Sequence, residues 1–257
     1  MIPMLLLCGI YYIYVSGELT ENKKEEMNKI LRLEQDYLDS FFDTRILEVK
    51  YLAERNDVRD YLELYQKVPD NTNPKVIWFH KLLSERFESM NKNSREIQDV
   101  FILAFDGTLI ASGNPDSYWI NLSEREYFQK AMQGETVISQ LIKDKIDGNW
   151  AIFFSSPVYD SGHQKILGVM VNLIDMKETS EGITNLVTSE TGEAYLVNAA
   201  GEIIFHKNPD LIGAKPNNLK VAEFMNSAEF QKNQGNQIIK NGMKNVYITF
   251  QSVVGTD

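Results

Sequence analysis

Cysteine is almost absent from this sequence. Cys8 is the only one in 257 residues, so no internal disulfide can staple the fold, and cysteine usage leaves the redox compartment open. Positive charge is also in short supply, with 26 Lys and Arg against 36 Asp and Glu, a formal net charge of -10. A surface for DNA or RNA needs a basic footprint, and no segment here is a sustained basic run, so nucleic acid is excluded as a partner. The three histidines, His80, His163 and His206, are scattered without metal-ligand spacing, which argues against a metal site. There is no G-x-S-x-G elbow, no G-x-x-x-x-G-K-[ST] loop and no H-E-x-x-H pair. Ser155 and Ser156 in "SSPVY" stand in a strand with no base in sight. These absences point away from an enzyme and give no reason to expect a cofactor.

The one long hydrophobic run is itself short. "MIPMLLLCGIYYIYV" carries no charge from Met1 to Val15, yet a spanning helix needs about 20 apolar residues. It also lacks the basic start and small-residue cleavage site of a secretory signal. Residues 1–18 are therefore read as part of a transmembrane helix that begins upstream, with a buried core helix or an uncleaved targeting segment as the alternatives.

What is present is enough for one large or two small packed domains, with 43% hydrophobic and 24% charged residues. From Leu19 to about Tyr65 there is no proline, and Met27, Ile30, Leu31, Leu38, Phe41, Phe42, Ile46, Val49 and Leu52 recur near helical spacing. This predicts a stalk helix of roughly 70 Å at ~1.5 Å per residue. "KVPDNTNP" breaks the pattern, and "KVIWFHKLLSERFESMNKN" predicts a second helix within 19–97.

After Ile97 the period becomes that of strands. "FILAFDGTLIAS", Phe101 to Ser112, reads as a hairpin around Asp106-Gly107, and "LSEREYFQKAMQGE" as a short helix capped by Ser123. The strands "TVISQLI", "NWAIFFSSPVY" and "KILGVMVNLI" follow. The order then starts again: a helix in "KETSEGITNLVTSETGE", the hairpin "YLVNAAGEIIFH" at Tyr195 to His206, a loop, a helix near Val221 to Lys232, and two closing strands. We read a duplication of one α+β module, at 98–176 and 177–257, with the second copy's last strand expected beyond Asp257.

The order and spacing of "DGTLIAS", "SEREYFQKAMQGE", "SSPVYDSGHQKILGVMVNLIDM" and "GEAYLVNAAGEIIFHKNPDLIG" resemble the double Cache (dCache) extracellular sensor domain of bacterial transmembrane receptors. That family serves chiefly methyl-accepting chemotaxis proteins, and also histidine kinases and diguanylate cyclases. The resemblance implies an α+β fold in which a long N-terminal helix packs along two tandem PAS-like modules, each an antiparallel sheet with flanking helices. It also implies a membrane-anchored, extracytoplasmic receptor whose membrane-distal module, 98–176, holds a small ligand; the stalk's apolar positions, too many for one sheet to cover, predict a parallel homodimer in the intact receptor. In its amino-acid-binding branch a pocket motif runs Arg, any residue, Trp, Tyr. Here Arg125 matches the arginine that clamps a carboxylate, with Tyr127 and Phe128 in the aromatic places. The closing aspartate falls at Asn172 or Leu173, neither of them charged, with Asp144 or Asp175 as possible substitutes. Trp119 and Trp150 complete the expected aromatic lining. The ligand expected is an amino acid, a carboxylate or another small polar metabolite. A surface-anchored enzyme or adhesion module is the alternative class.

Overall fold

The computed structural model describes residues 6–15, 21–68, 72–117, 120–144, 148–183, 192–198, 201–206, 208–216, 234–241 and 244–254. The predicted helix near Val221 to Lys232 and the site residue Trp119 lie outside the described residues. The chain divides into two units: Met1–Asp43 with Met176–Asp257, and Thr44–Asp175.

Helix α1 runs over Glu21–Ala53 and α2 over Asn56–Lys67. The single stalk helix read from the sequence is therefore two helices, broken at Glu54 and Arg55 without proline or glycine. Arg55 takes an extended conformation at the N-cap of α2 (φ -67, ψ 136). Its guanidinium bonds Asp57 in the first helical turn, which also pairs with Arg86, so an ion cluster stabilises the break. Helix α3, Pro74–Asn93, starts as the sequence suggests, with Pro74 at its first position and Asn73 Oδ1 accepting from the Lys75 and Val76 amides.

In the Thr44–Asp175 unit, β2 (Ile97–Ala104), β3 (Leu109–Ser112), β4 (Val137–Ile138), β6 (Trp150–Tyr159) and β7 (Ile166–Asp175) form an antiparallel sheet in the order β3-β2-β7-β6-β4, with β5 (Ile142–Lys143) also on β6. Both faces are covered, which is why β6 and β7 read as nearly continuous apolar runs. Phe101, Leu103, Leu109, Phe153, Val169, Val171 and Leu173 face one side and pack with Tyr127, Phe128 and Ala131 of α4, Glu126–Ala131. The alternate residues face α2 and α3. Tyr61 of α2 donates its hydroxyl to Ile110 O at 2.9 Å, and β7 approaches so closely at Gly168 that a Cβ there would meet Leu103 O at 2.3 Å and Leu62 Cδ2 at 2.8 Å.

The other unit carries α5 (Met176–Ile183), β8 (Gly192–Val197), β9 (Ile203–His206), β10 (Gln234–Asn241) and β11 (Lys244–Val254). Phe205 of β9 meets Phe41 and Phe42 edge-on, at 6.1 and 6.4 Å between ring centroids. The two hairpins lie in separate sheets and match in detail. Phe101 pairs Ser112 as Tyr195 pairs His206, and Leu103 pairs Leu109 as Val197 pairs Ile203, with a register shift at the same step. Gly107 and Gly201 hold the same turn at φ 82 and 76, and Leu109 N bonds Ile120 O as Ile203 N bonds Ala214 O.

The N-terminal run departs from the sequence reading. Leu6–Val15 is a strand, β1, not a helix, and sits antiparallel between β8 and β11 in the order β10-β11-β1-β8-β9. That is the place β7 fills in the first sheet, between β2 and β6. "IYYIYV" is rich in β-branched and aromatic residues, and a short apolar run satisfies its backbone as a central strand as well as in a helix. No helix among the described residues is long and apolar enough to cross a membrane.

Candidate functional site

A cleft opens on the α4 face of the Thr44–Asp175 sheet, about 460 Å³ with its open mouth included. Its floor is apolar: Phe101, Leu109, Phe153 and Leu173 project from β2, β3, β6 and β7. The cover is residues 120–131, which bring Ile120, Leu122, Arg125 and Tyr127 over that floor. Gln98, Asp99, Asn114 and Asp144 add polar groups to the lining.

The cover is held by backbone geometry. Gly107, in the left-handed region, lets the β2–β3 turn approach Ser123, whose amide nitrogen would lie 2.5 Å from any added Cβ. Leu122 N bonds Gly107 O, and Asn121 Nδ2 bonds Asp106 O. Ser123 does not cap α4 as predicted. It donates to Asn121 Oδ1, and Arg125 occupies the N-cap without a side-chain bond. The Arg125 side chain lines the cleft.

Tyr127 stacks on Phe153 with centroids 4.7 Å apart and planes at 10°. The residue is 1% exposed, yet its hydroxyl has no protein partner; the Nε of Arg125 is buried without one as well. Burial pushes the phenol pKa up; Arg125 pulls against that shift, and Asp144 adds to it. Both a positive and a negative group therefore act on the Tyr127 hydroxyl. Asp99 forms a separate buried centre. Its carboxylate accepts from Asn91 Nδ2 at 3.0 Å, Ser112 Oγ at 2.6 Å and the Val100 amide at 2.8 Å, and burial raises its pKa to about 6.

Arg125, Tyr127 and Asp144 thus line one cavity. Phe128 lies in the apolar core with Tyr127 and is not among the residues that line the cleft. Asn172 is placed on the opposite face of the sheet. Its register partners are Val100 and Phe154, while Leu173, paired with Phe153, looks into the cavity. Asn172 is fully buried, and neither end of its amide meets a protein partner. Trp150 alternates with Ile152 and Phe154, away from the cleft, and lies under Lys143 Nζ at 5.0 Å. The sequence reading missed Asp99 as a lining residue and left the closing position open between Asn172 and Leu173. Because β7 is apolar on both faces, only the pairing register of "VNLI" says which of Asn172 and Leu173 points inward.

An antiparallel sheet with helices on one face and a loop-and-helix cover over a cavity on the other is the build of a PAS-like ligand-sensing module. The chain belongs to the Cache-domain family, whose dCache_1 profile, described as "Cache domain", matches residues 15–257. Solved structures of similar fold include the sensor domain of the Vibrio cholerae histidine kinase DctB (TM-score 0.64, 12% identity, 89% of this chain and 97% of that one). They also include the ligand-binding domain of the Campylobacter jejuni chemoreceptor Tlp3 with 4-methylisoleucine (0.62, 16%, 90% and 91%). A third is that of the Pseudomonas aeruginosa amino-acid chemoreceptor PctC with GABA (0.57, 16%, 89% and 98%). No curated protein matches by sequence. The chain is a Cache sensor domain of the kind that membrane receptors carry outside the cell, and both chemoreceptors and histidine kinases stand among its structural relatives.

Proposed function

We propose that this chain is the extracytoplasmic small-molecule sensor of a bacterial transmembrane receptor, most simply a methyl-accepting chemotaxis receptor, and that its ligand occupies the cleft under α4. The observation that carries this reading is the Tyr127 hydroxyl, buried without a partner at the cavity that Arg125 and Asp144 also line. A buried donor left unpaired costs about 1–3 kcal/mol, and a ligand that pairs it recovers that cost. An α- or ω-amino carboxylate suits the three groups. Arg125 offers its planar fork to the carboxylate and Asp144 an anion to the ammonium, while Phe101, Phe153 and Leu173 take the apolar body. That GABA and 4-methylisoleucine sit in related chemoreceptor domains agrees with this class. Histidine-kinase relatives support the same sensor on a kinase as the second reading of the output.

The reading includes a homodimer through α1. Leu33, Tyr37, Leu47 and Tyr51 are large apolar side chains exposed on that helix. With Ser40 and Thr44 they follow steps of four and three, the seam that a parallel second copy covers. A thermal-shift screen of the intact chain against amino acids, ω-amino acids, organic acids and amines tests the ligand class. The expected result is stabilisation by one or more amino carboxylates that Arg125→Ala abolishes. Stabilisation by amines alone would remove the role of Arg125.

A further inference from the structure

A second groove in the same unit lies away from the ligand cleft, between the end of α1, the start of α2 and the β6–β7 turn. It measures about 680 Å³ with its open mouth and is lined by Lys50, Glu54, Arg59, Thr136, Ser156, Tyr159 and His163, among others. Arg59 is its fixed point. Its Nε donates to Tyr159 O at 3.1 Å, Nη1 to Asn56 Oδ1 at 3.0 Å and Nη2 to Glu54 O at 3.5 Å. All three acceptors are neutral. By contrast, Arg45 pairs with Glu48 and Glu96, and Arg55 and Arg86 share Asp57. Five N–H groups on a guanidinium, three of them used here, leave one on each terminal nitrogen to donate to an anion.

The surroundings suit such an anion. Lys50, exposed on α1, has no carboxylate within ion-pair distance among the described residues. Ser156 is 4% exposed, and its hydroxyl lies 3.5 Å from that of Thr136 on the strand side. His163 stacks flat on Tyr159 at 5.3 Å, and its φ of 53 is the one left-handed non-glycine value among the described residues. Glu54 also lines the groove and opposes the two cations, leaving an excess of one positive charge.

We infer that this groove is a second site, for a small oxyanion, held by Arg59 and Lys50 with the Thr136 and Ser156 hydroxyls. Carboxylate and phosphate share the chemistry that Arg59 presents, so both acetate and inorganic phosphate serve as probes. Calorimetric titration of the intact chain at constant ionic strength, with chloride as the balancing anion, should give one-site binding of at least one probe. Loss of a charge-assisted contact should weaken that binding roughly tenfold or more in Arg59→Gln. Lys50→Gln, an exposed change with no hydrogen bond to lose, should also weaken it, while Arg125→Ala should leave it unchanged. Should Arg59→Gln fail to fold, by urea midpoint, the Lys50→Gln result decides. Heats no larger than those of chloride for both probes would overturn the inference, as would binding insensitive to Lys50→Gln and to a folded Arg59→Gln.

Discussion

A single register step decides that Leu173, and not Asn172, lines the cleft. Tyr127→Phe removes the unpartnered hydroxyl and keeps the stack on Phe153. It should weaken an amino-carboxylate ligand by about 1 kcal/mol or more, read by calorimetry, while raising or preserving the unfolding midpoint. Asn172, buried on the far face with both amide ends unpaired, should tolerate Leu with a gain of about 1 kcal/mol, or roughly 2–4 °C in Tm for a chain of this size. A fall in Tm would mean the amide has a partner in solution, such as water. Asp99 has a folded pKa of about 6 against an ordinary 3.8, so between those values the native state holds a proton that the unfolded chain has lost. Stability from this group is full below about pH 4 and falls as pH rises through 6, on the order of 2–3 kcal/mol. Asp57, held below its ordinary value by Arg55 and Arg86 against its own burial, acts in the opposite direction, losing stability as pH falls. The difference between wild type and Asp99→Asn in urea midpoints from pH 4 to 7 isolates the Asp99 slope. A pH-independent difference would contradict it.

Elements were legible in the sequence where one physical signal dominated. Both hairpins could be read because Gly107 and Gly201 sit where the turn needs positive φ, and α3 because Asn73 and Pro74 mark its start. Gly107→Ala should cost about 2 kcal/mol or more, since it combines backbone strain with a 2.5 Å approach to Ser123 N. Three features were not legible for the same kind of reason. The break between α1 and α2 carries no helix breaker and depends on an ion cluster whose member Arg86 comes from α3. The N-terminal run is apolar enough for a helix and becomes β1 because its partners β8 and β11, far along the chain, present edges. The choice between Asn172 and Leu173 rests on pairing register in a strand apolar on both faces. For the α1 seam, single cysteines placed along Leu33 to Tyr51 in the membrane-embedded receptor should crosslink between subunits with a period near 3.5 residues. Uniform absence of crosslinks would remove the dimeric stalk from the account.

At the scale of the whole molecule, one hairpin-and-sheet design is used twice. The described cleft with charged and aromatic lining belongs to the Thr44–Asp175 unit. A sensor reports a ligand only through differential affinity for two arrangements, typically about 1–3 kcal/mol, so the account stands on a ligand being held in that cleft. The most direct test is a crystal structure of the intact chain with the tightest ligand from the screen. The account predicts density over Phe101 and Phe153, the carboxylate on Arg125, the ammonium toward Asp144 and the Tyr127 hydroxyl paired. A ligand bound elsewhere on the chain, with Arg125 and Tyr127 untouched, would contradict it.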